Sequence, residues 1–423
     1  MAVLPLDSWL SILERSRRGD ASLAIARNSA SSAFGETERT RQVGWSVVRR
    51  IFERISRLER EGARVIHLEI GAPDFTTPDH IREAAKRALD LGETHYSSNY
   101  GLFPLRQAIA RKLATENAVA YDPDSEIIVT TGASEAIHLS MSALVSPGDE
   151  VLVPEPAWPN YRNVSVLLGA TPVAVPLREE RAFELDPDDV ERRITPRTRL
   201  LVLVSPANPT GAVLSRETLL ALAEIAERHG LLVLSDEIYE KLIYDGREHV
   251  SFASLPGMRE RTVTVNGFSK AYAMCGWRLG YLAAPEAMVT PMVKIREYMT
   301  SCVTTFAQFG GIAALEGPQA PRLAMAEEFA RRRALVVAGL REIPGFAIAP
   351  PGGAFYAFPS VRGLGRTSVE VADYLLEVAK VAVVPGPAFG EVGEGYVRIS
   401  YANSAENLTE ALGRMREALA RMP

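Results

Sequence analysis

The sequence predicts an α/β protein with a mostly parallel sheet of seven strands, followed by a smaller α+β domain. Between residues 127 and 285, short apolar runs alternate with helix-like stretches. Because these runs are continuously apolar, they indicate strands that are buried on both faces, as in a parallel sheet covered by helices. After residue 318 the pattern changes to a long helix, predicted over 323–342, and then to short strands.

The predicted strands of the sheet are short runs in which β-branched or other aliphatic residues predominate. They are Ile127–Thr131, Val151–Val153, Thr171–Val175, Leu200–Val204, Leu231–Ser235, Thr262–Asn266 and Gly280–Ala284. Ahead of them, a stripe at helical spacing predicts a helix and consists of Val47, Val48, Ile51, Ile55 and Leu58. The strands expected in the C-terminal third are Phe346–Ala349, Ala354–Phe358 and Tyr396–Ser400.

A chain of 423 residues is long enough for two domains. We expect a large domain over residues 75–310 and a small domain formed by residues 43–74 and 311–423. Residues 1–42 differ from both, because they are rich in Ala, Ser and Arg and carry one amphipathic patch around Trp9. This extension is either an arm that packs on a partner subunit or a frayed tail. Its five acidic residues argue against a cleaved transit peptide.

Composition argues against several classes of function. A net charge of −5 gives no electrostatic basis for binding nucleic acid or an anionic membrane surface. No apolar run reaches the ~18 residues of a membrane span. The two cysteines, Cys275 and Cys302, do not suggest a disulfide framework, so a cytoplasmic location is expected. The six histidines show no metal-ligand spacing, and no metal site is expected.

Three consecutive predicted strands lead into residues with chemical function. The fourth leads into Asn208, the fifth into Asp236 and Tyr239, and the sixth into Lys270. Ligands of α/β sheets bind at these carboxyl ends. A lysine that leaves an apolar run can form a Schiff base, because desolvation lowers the pKa of its amine. The aspartate suits an aromatic aldehyde cofactor whose ring nitrogen must stay protonated, and Asn208 and Tyr239 can hydrogen-bond its ring hydroxyl.

Lys270 is the preferred candidate among six lysines. Most of the others lie in charged, helix-patterned stretches, where a solvated surface amine is the usual state. They are Lys86, Lys112, Lys241, Lys294 and Lys380.

A series of short motifs carries a resemblance to a known family. The motifs are Gly71–Pro78, Tyr96 with Gly101–Arg106, Thr131–Ala136, Pro156–Tyr161, Asn208–Gly211, Asp236–Tyr239, Val265–Lys270, Gly276–Tyr281, Gly352–Tyr356 and Tyr396–Ser400. In this order they resemble class I pyridoxal-phosphate aminotransferases of fold type I, in the subgroup of bacterial aspartate and broad-specificity enzymes. The resemblance covers residues 45–418 and implies the cofactor pyridoxal 5′-phosphate.

The resemblance implies transamination between an L-amino acid and a 2-oxo acid. The expected course runs through an internal aldimine on Lys270, a quinonoid and pyridoxamine phosphate. Lys270 is expected to move the proton between the substrate Cα and C4′ of the cofactor. Asp236 is expected to keep the pyridine nitrogen protonated, with Tyr239 as a further catalytic residue.

The resemblance also implies residues that bind the phosphate and the substrate. The expected phosphate ligands are Gly132, Ala133 and Ser134 at a helix start, with Ser269, Arg278 and, from the neighbouring subunit, Tyr96. The last of these implies a homodimer with shared active sites. Trp158 is expected to stack on the cofactor ring. The expected substrate-binding residues are Gly71, Trp158, Asn208 and Arg398, with Arg398 on the α-carboxylate.

Three positions depart from the family pattern. Gly267 stands where some relatives have a phosphate-binding serine, and Cys275, interpreted as a buried structural cysteine, stands where many have threonine. Ser134 occupies the position of a lysine that some aspartate-selective relatives use for the distal carboxylate. A neutral or aromatic amino acid is therefore the favoured substrate class. The aromatic residues Tyr161, Phe306 and Phe355 are candidate pocket walls or core residues.

Two other functions stay open on the sequence. The same cofactor chemistry can lead to elimination, cyclisation, racemisation or oxidation, so a lyase, cyclase or oxidase is an alternative. A regulator with an aminotransferase-like ligand-binding domain is disfavoured, because residues 1–42 are too short and irregular for a DNA-binding domain.

Overall fold

The computed structural model describes residues 35–44 and 47–422 of the chain. The predicted extension, residues 1–42, lies outside these residues except for a short helix, Glu38–Gln42. The predicted apolar stripe forms the helix Val47–Arg60, in which Ile51, Ile55 and Leu58 are buried. The further α-helices described up to Glu316 are Asp79–Asp90, Phe103–Glu116, Gly132–Leu144, Asn160–Leu167, Pro187–Glu191, Arg216–Arg228, Glu286–Glu297 and Thr305–Glu316.

The predicted seven-stranded sheet is confirmed. Its strands are β2 (Ile127–Thr130), β3 (Glu150–Glu155), β4 (Thr171–Pro176), β5 (Thr198–Val204), β6 (Leu232–Asp236), β7 (Thr262–Gly267) and β8 (Gly280–Ala283), and they follow β1 (Ile66–His67). The order across the sheet is β2-β8-β7-β6-β5-β3-β4. All pairings are parallel except those of β8, which is antiparallel to both of its neighbours. The carboxyl ends of β5, β6 and β7 therefore meet at one edge.

Most strands of the sheet are buried along most of their length, as their continuous apolar patterns predicted. All residues of β2, β3, β7 and β8 are buried. The least buried strand is β4, at one edge of the sheet, where only Val175 is buried. Ligands of such sheets bind at the carboxyl ends of the strands.

The C-terminal part folds around a second apolar core. Its helices are Ala320–Arg341, Ser368–Tyr374 and Ala405–Leu419, and its strands are β9 (Tyr356–Ala357), β10 (Val381–Ala382), β11 (Val384–Pro385) and β12 (Val397–Ser400). The pairing of β1 with β10 brings residues 66–67 into this part, as the proposed division of residues 43–74 and 311–423 requires. The domain boundaries themselves stay a prediction.

One predicted strand, Phe346–Ala349, is wrong. The segment forms only an isolated bridge between Ala347 and Ser360. Proline stands before it at Pro344 and after it at Pro350 and Pro351, and proline lacks the N–H group that a strand ladder needs. Among the residues described, no helix combines the length and the apolar character needed to cross a membrane.

Candidate active site

A cavity of about 700 Å³ lies at the carboxyl edge of the sheet, between the sheet and the C-terminal part. Its size falls within the range of pockets that bind small molecules and cofactors. Most of the residues predicted for the site line this cavity. They are Gly71, Ala133, Ser134, Trp158, Asn208, Asp236, Tyr239, Ser269, Lys270, Arg278 and Arg398.

Two predicted residues do not line the cavity. Gly132 lies just behind its wall, since a Cβ added at this glycine would be 2.7 Å from Nη2 of Arg278. Tyr96 is 92% exposed and lies on the surface of the single chain. That position neither supports nor contradicts its expected role, which requires a second subunit.

Lys270 is the lysine of the cavity, and no carboxylate of the described residues pairs with it. Its Nζ donates a hydrogen bond to the carbonyl oxygen of Gly71 over 2.5 Å and lies 3.9 Å from Sγ of Cys275. The rings of Tyr239 and Phe355 have their centroids 5.9 and 5.8 Å away. The amine is thus held at the cavity by neutral groups, which leaves it available for a covalent bond.

Asp236 ends β6 with its carboxylate buried at the cavity. Oδ2 accepts a hydrogen bond from the hydroxyl of Tyr161 over 2.7 Å, and Oδ1 accepts one from the N–H of Ile238 over 3.1 Å. Burial raises the pKa of Asp236 to about 6, although these two donors and Lys270 act in the opposite direction. A buried carboxylate with a raised pKa is suited to sharing a proton with a basic atom of a ligand through a hydrogen bond.

Tyr161, predicted as a candidate pocket wall, does line the cavity. Its hydroxyl also donates to Asp236, and its ring packs edge-on against Trp158, with centroids 5.9 Å apart. The bond to Asp236 was not predicted, although Tyr161 ends the motif that contains Trp158. Of the other two proposed walls, Phe306 and Phe355 do not line the cavity, and Phe355 is a core residue stacked near Phe329.

Tyr239 points into the cavity from the turn that follows β6. Its hydroxyl lies 2.7 Å from the hydroxyl of Tyr356, a residue of β9 that sequence reasoning quoted in a motif but gave no role. Burial raises the pKa of Tyr239 well above its usual range, so this phenol is protonated at neutral pH. A Cβ on Gly71 would be 2.5 Å from the Tyr356 hydroxyl, which explains why this position requires glycine.

The helix Gly132–Leu144 begins at the cavity, directly after β2. Gly132 has a φ of 72°, which favours glycine, and the next N–H groups of the helix have no partner within the helix. Arg278 lies over this helix start and adopts a left-handed φ of 55°. Unpaired N–H groups, the positive end of the helix dipole and a guanidinium together favour a bound phosphate.

Arg398 lies in β12 on the other side of the cavity and is 5% exposed. Its guanidinium donates to Oδ1 of Asn208 over 3.2 Å and to the carbonyl oxygen of Glu69. It also lies over the rings of Tyr356 and Phe389, at 4.7 and 5.0 Å from their centroids. Nε is buried and has no hydrogen-bond partner within the described part of the chain. A buried cation held only by neutral acceptors is suited to binding an anionic group of a ligand.

Cys275 and Lys112 differ from their sequence-based interpretations. Cys275 is not fully buried; its Sγ donates to the carbonyl oxygen of Ser269 over 3.1 Å, close to Lys270. Lys112, expected to be a solvated surface amine, is 8% exposed and pairs with Glu240 and Asn117. The described residues contain one group of metal-ligating type, formed by Glu237, Glu240 and His249, and it lies outside the cavity.

A cavity with an unpaired lysine, a buried acid beside it and an anion-binding helix start defines an enzyme of the pyridoxal-phosphate type. The chain matches the family model "Aminotransferase class I and II" over residues 63–415. It is 49% identical to an aspartate aminotransferase of Pyrococcus abyssi over 357 residues, which are 84% of this chain and 92% of the relative. It is 44% identical to aromatic-amino-acid aminotransferase 2 of Thermococcus litoralis, over 90% of this chain and 98% of the relative.

Solved structures agree with these relatives. The aspartate aminotransferase of Rhizobium meliloti superposes with a TM-score of 0.89 at 40% identity, over 92% of this chain and 100% of that one. The chain therefore belongs to the class I and II aminotransferase family. It is a pyridoxal-phosphate-dependent enzyme that transfers an amino group between an amino acid and a 2-oxo acid, so the predicted family, fold, cofactor and reaction are confirmed.

Proposed function

We propose that Lys270 holds pyridoxal 5′-phosphate covalently, that Asp236 contacts its ring nitrogen and that Arg398 binds the α-carboxylate of the substrate. The observation that carries this proposal is the single cavity in which all three meet, two of them as cations without a carboxylate partner among the described residues. Desolvated cations without counter-ions are costly, so their retention indicates an anionic or carbonyl ligand.

The donors around the cavity fit the cofactor. The start of the helix Gly132–Leu144, with Ser269 and Arg278, suits the phosphate. Gly132 lets Arg278 approach closely, because a Cβ would occupy the space of the guanidinium. Trp158 lines the same cavity as Asp236 and offers an aromatic ring for stacking. When bound, the cofactor supplies an electron sink that stabilises negative charge at the substrate Cα.

The remaining steps are carried by side chains of this protein. Asp236 keeps a proton on the ring nitrogen, and Tyr161 and the Ile238 N–H keep its carboxylate aimed. Lys270 Nζ carries a proton to and from Cα as general acid and base. Tyr239, fixed by Tyr356, donates toward the ring oxygen together with Asn208.

A homodimer and a cytoplasmic location are part of this proposal. The dimer rests on the family resemblance, which assigns a tyrosine at the position of Tyr96 to the phosphate of the neighbouring subunit, and Tyr96 is exposed on the single chain. The relatives carry names that include both aspartate and aromatic substrates. Ser134, in place of a lysine, favours neutral or aromatic amino acids for this chain.

An absorbance titration tests the proposal. The purified protein is loaded with pyridoxal 5′-phosphate and mixed with single amino acids, aspartate, phenylalanine and alanine among them, without any oxo acid. We expect the visible band of the bound cofactor to disappear as one equivalent of 2-oxo acid is released. In a separate sample, borohydride is added to the loaded protein before any amino acid. This reduction should leave the mass of the cofactor on the peptide that contains Lys270. A label on any other peptide, or release of ammonia instead of transfer to the cofactor, contradicts the proposal.

A further inference from the structure

A second buried carboxylate stands next to Asp236 on the opposite face of the sheet. Successive strand residues point to opposite faces, so Glu237 lies away from the cavity and does not line it. Its residue exposure is 1%. Oε1 accepts hydrogen bonds from the hydroxyls of Ser235 and Ser251, each over 2.9 Å, and from the N–H of Phe252 over 3.3 Å.

The other oxygen of Glu237 is held as well. Oε2 lies 2.9 Å from Nε2 of His249 and accepts a bond from the Asn117 amide over 3.4 Å. Donors therefore reach this one carboxylate from β6, from the end of the helix Phe103–Glu116 and from the segment 249–252. These donors offset the loss of hydration that burial causes for a carboxylate.

The backbone connects Glu237 to residues that form the active site. Its own N–H donates to the carbonyl oxygen of Val265 in β7, four residues before Ser269. Asp236 precedes it and Tyr239 follows two residues later. The charge of Glu237 also acts on its neighbour, since it is one of the causes that raise the pKa of Asp236.

We propose that Glu237 is a positioning residue that fixes the turn carrying Asp236 and Tyr239 and whose charge favours the protonated form of the bound cofactor. This inference rests on the proposed role of Asp236 at the ring nitrogen. Glu237 touches neither substrate nor cofactor. It acts through the backbone of the turn and through its negative potential at the adjoining site.

The charged and titratable groups that face Glu237 and Asp236 come from several elements. On the side of Glu237 they are His249, Glu240, Lys112, Tyr121 and Tyr281. On the side of Asp236 they are Tyr161, Lys270 and Tyr239. Of the groups behind the sheet, only Glu237 is adjacent to Asp236 in the chain.

Glu237→Gln removes the charge and can retain most hydrogen bonds. The amide oxygen can still accept from Ser235, Ser251 and the Phe252 N–H. The amide nitrogen can donate to Nε2 of His249, whose Nδ1, buried without a partner, then carries the ring proton. A change in the variant therefore reports the charge of Glu237 more than a loss of packing.

The experiment is a pH titration of the visible band of the Lys270-linked cofactor in the wild type and in Glu237→Gln. Removing a neighbouring negative charge disfavours the protonated form, so the midpoint should fall by roughly half a pH unit to one unit. A wild-type midpoint in a variant with a wild-type thermal transition overturns the proposed charge effect. A wild type in which borohydride fixes the cofactor on a residue other than Lys270 refutes the proposed function instead, so the two failures are distinguishable.

A second pair of variants decides the positioning effect if Glu237→Gln does not fold. Ser251→Ala removes one donor to Glu237, while Ser254→Ala removes a hydroxyl that bonds only the carbonyl oxygen of Ser251. Ser251→Ala should raise the dissociation constant for pyridoxal 5′-phosphate about threefold, within the range expected for one lost hydrogen bond. Ser254→Ala should leave it unchanged. Equal dissociation constants for both variants and the wild type overturn the positioning role.

Discussion

The two faces of the sheet at the end of β6 hold buried charge in opposite ways. On the cavity face, Lys270 and Arg398 contact only neutral acceptors among residues 35–44 and 47–422. On the opposite face, Lys112 is paired with Glu240, and both side chains are at most 8% exposed. The Asn117 amide completes this pair by donating to Glu240 over 2.8 Å and accepting from Lys112 over 2.7 Å.

This difference in pairing distinguishes charged residues that bind a ligand from charged residues that stabilise the fold. A buried ion loses its hydration, and only a partner of opposite charge or several hydrogen bonds offset that loss. The network behind the sheet is compensated by its own side chains. The cations of the cavity gain partners only when an aldehyde, a phosphate and a carboxylate bind. These are the groups of the cofactor and the substrate.

The largest expected effect belongs to Lys270→Ala. Without the amine, the cofactor has no covalent attachment and no group carries the proton at Cα, so transamination should fall by about 10⁴-fold or more. Because Lys270 bonds only neutral groups among the described residues, the carbonyl oxygen of Gly71 and Sγ of Cys275, the thermal transition of the apoprotein should change little. The measurements are single-turnover release of 2-oxo acid and the melting curve. A variant that still yields a borohydride-stable adduct would contradict the role of Lys270.

The sequence predicted the role of Lys270 but not the burial of Lys112, and the reason is physical. Lys270 follows an apolar strand within a local motif, and its neighbours in the chain carry the signal. Lys112 lies in an ordinary charged helix, and its partner Glu240 is 128 residues away. A pairing over that distance leaves no periodicity or spacing in the sequence.

The same argument explains which other features could be predicted from the sequence and which could not. The seven strands were predictable because buried parallel strands have continuous apolar runs, and the order of strand ends placed Asn208, Asp236 and Lys270 at one edge. Tyr161 and Tyr356 were visible as motif residues, but their bonds to Asp236 and Tyr239 depend on tertiary packing. The expected role of Tyr96 depends on a second subunit.

Asp236→Asn should have the next largest effect on catalysis. The amide can still accept from Tyr161, so the fold and the binding of cofactor should remain. An amide cannot carry the negative charge that holds a proton on the ring nitrogen, and kcat should fall by about 10²–10³-fold. The check is steady-state kinetics beside a cofactor dissociation constant. Wild-type kcat in this variant would remove Asp236 from the proposed mechanism.

Lys112→Met should show the reverse pattern. The variant removes the cation that contacts the buried Glu240 directly and leaves Lys241 3.8 Å away, so the loss of unfolding free energy should lie at the lower end of the about 3–5 kcal/mol expected for a broken buried pair. The cavity is unchanged, so the protein that remains folded should still attach the cofactor at Lys270. Denaturant unfolding measures the first effect and the borohydride label the second. A stable variant, or one that loses the label while folded, would contradict the division between the two faces.

The smallest effect is a difference in the pH dependence of apoprotein stability, because the two faces shift their carboxylates in opposite directions. Burial raises the pKa of Asp236 to about 6, whereas Lys112, Lys241 and His249 outweigh burial and lower the pKa of Glu240 to about 2. A raised folded-state pKa gives stability that is complete below the unfolded pKa of Asp, ~4, and is lost as pH rises through 6. A lowered pKa gives stability that is present above the unfolded pKa of Glu, ~4.3, and is lost as pH falls toward 2.

Melting temperatures of the apoprotein between pH 3 and 8 separate these two contributions. Asp236→Asn should flatten the decline between pH 4 and 7 and leave the acid side unchanged. Glu240→Gln should lower stability at neutral pH and flatten the decline below pH 4.5. The wild type should therefore lose stability toward acid because of the network and toward neutral pH because of the cavity. If both variants changed the same side of the curve, the two carboxylates would share one environment, and the contrast between the faces would not hold.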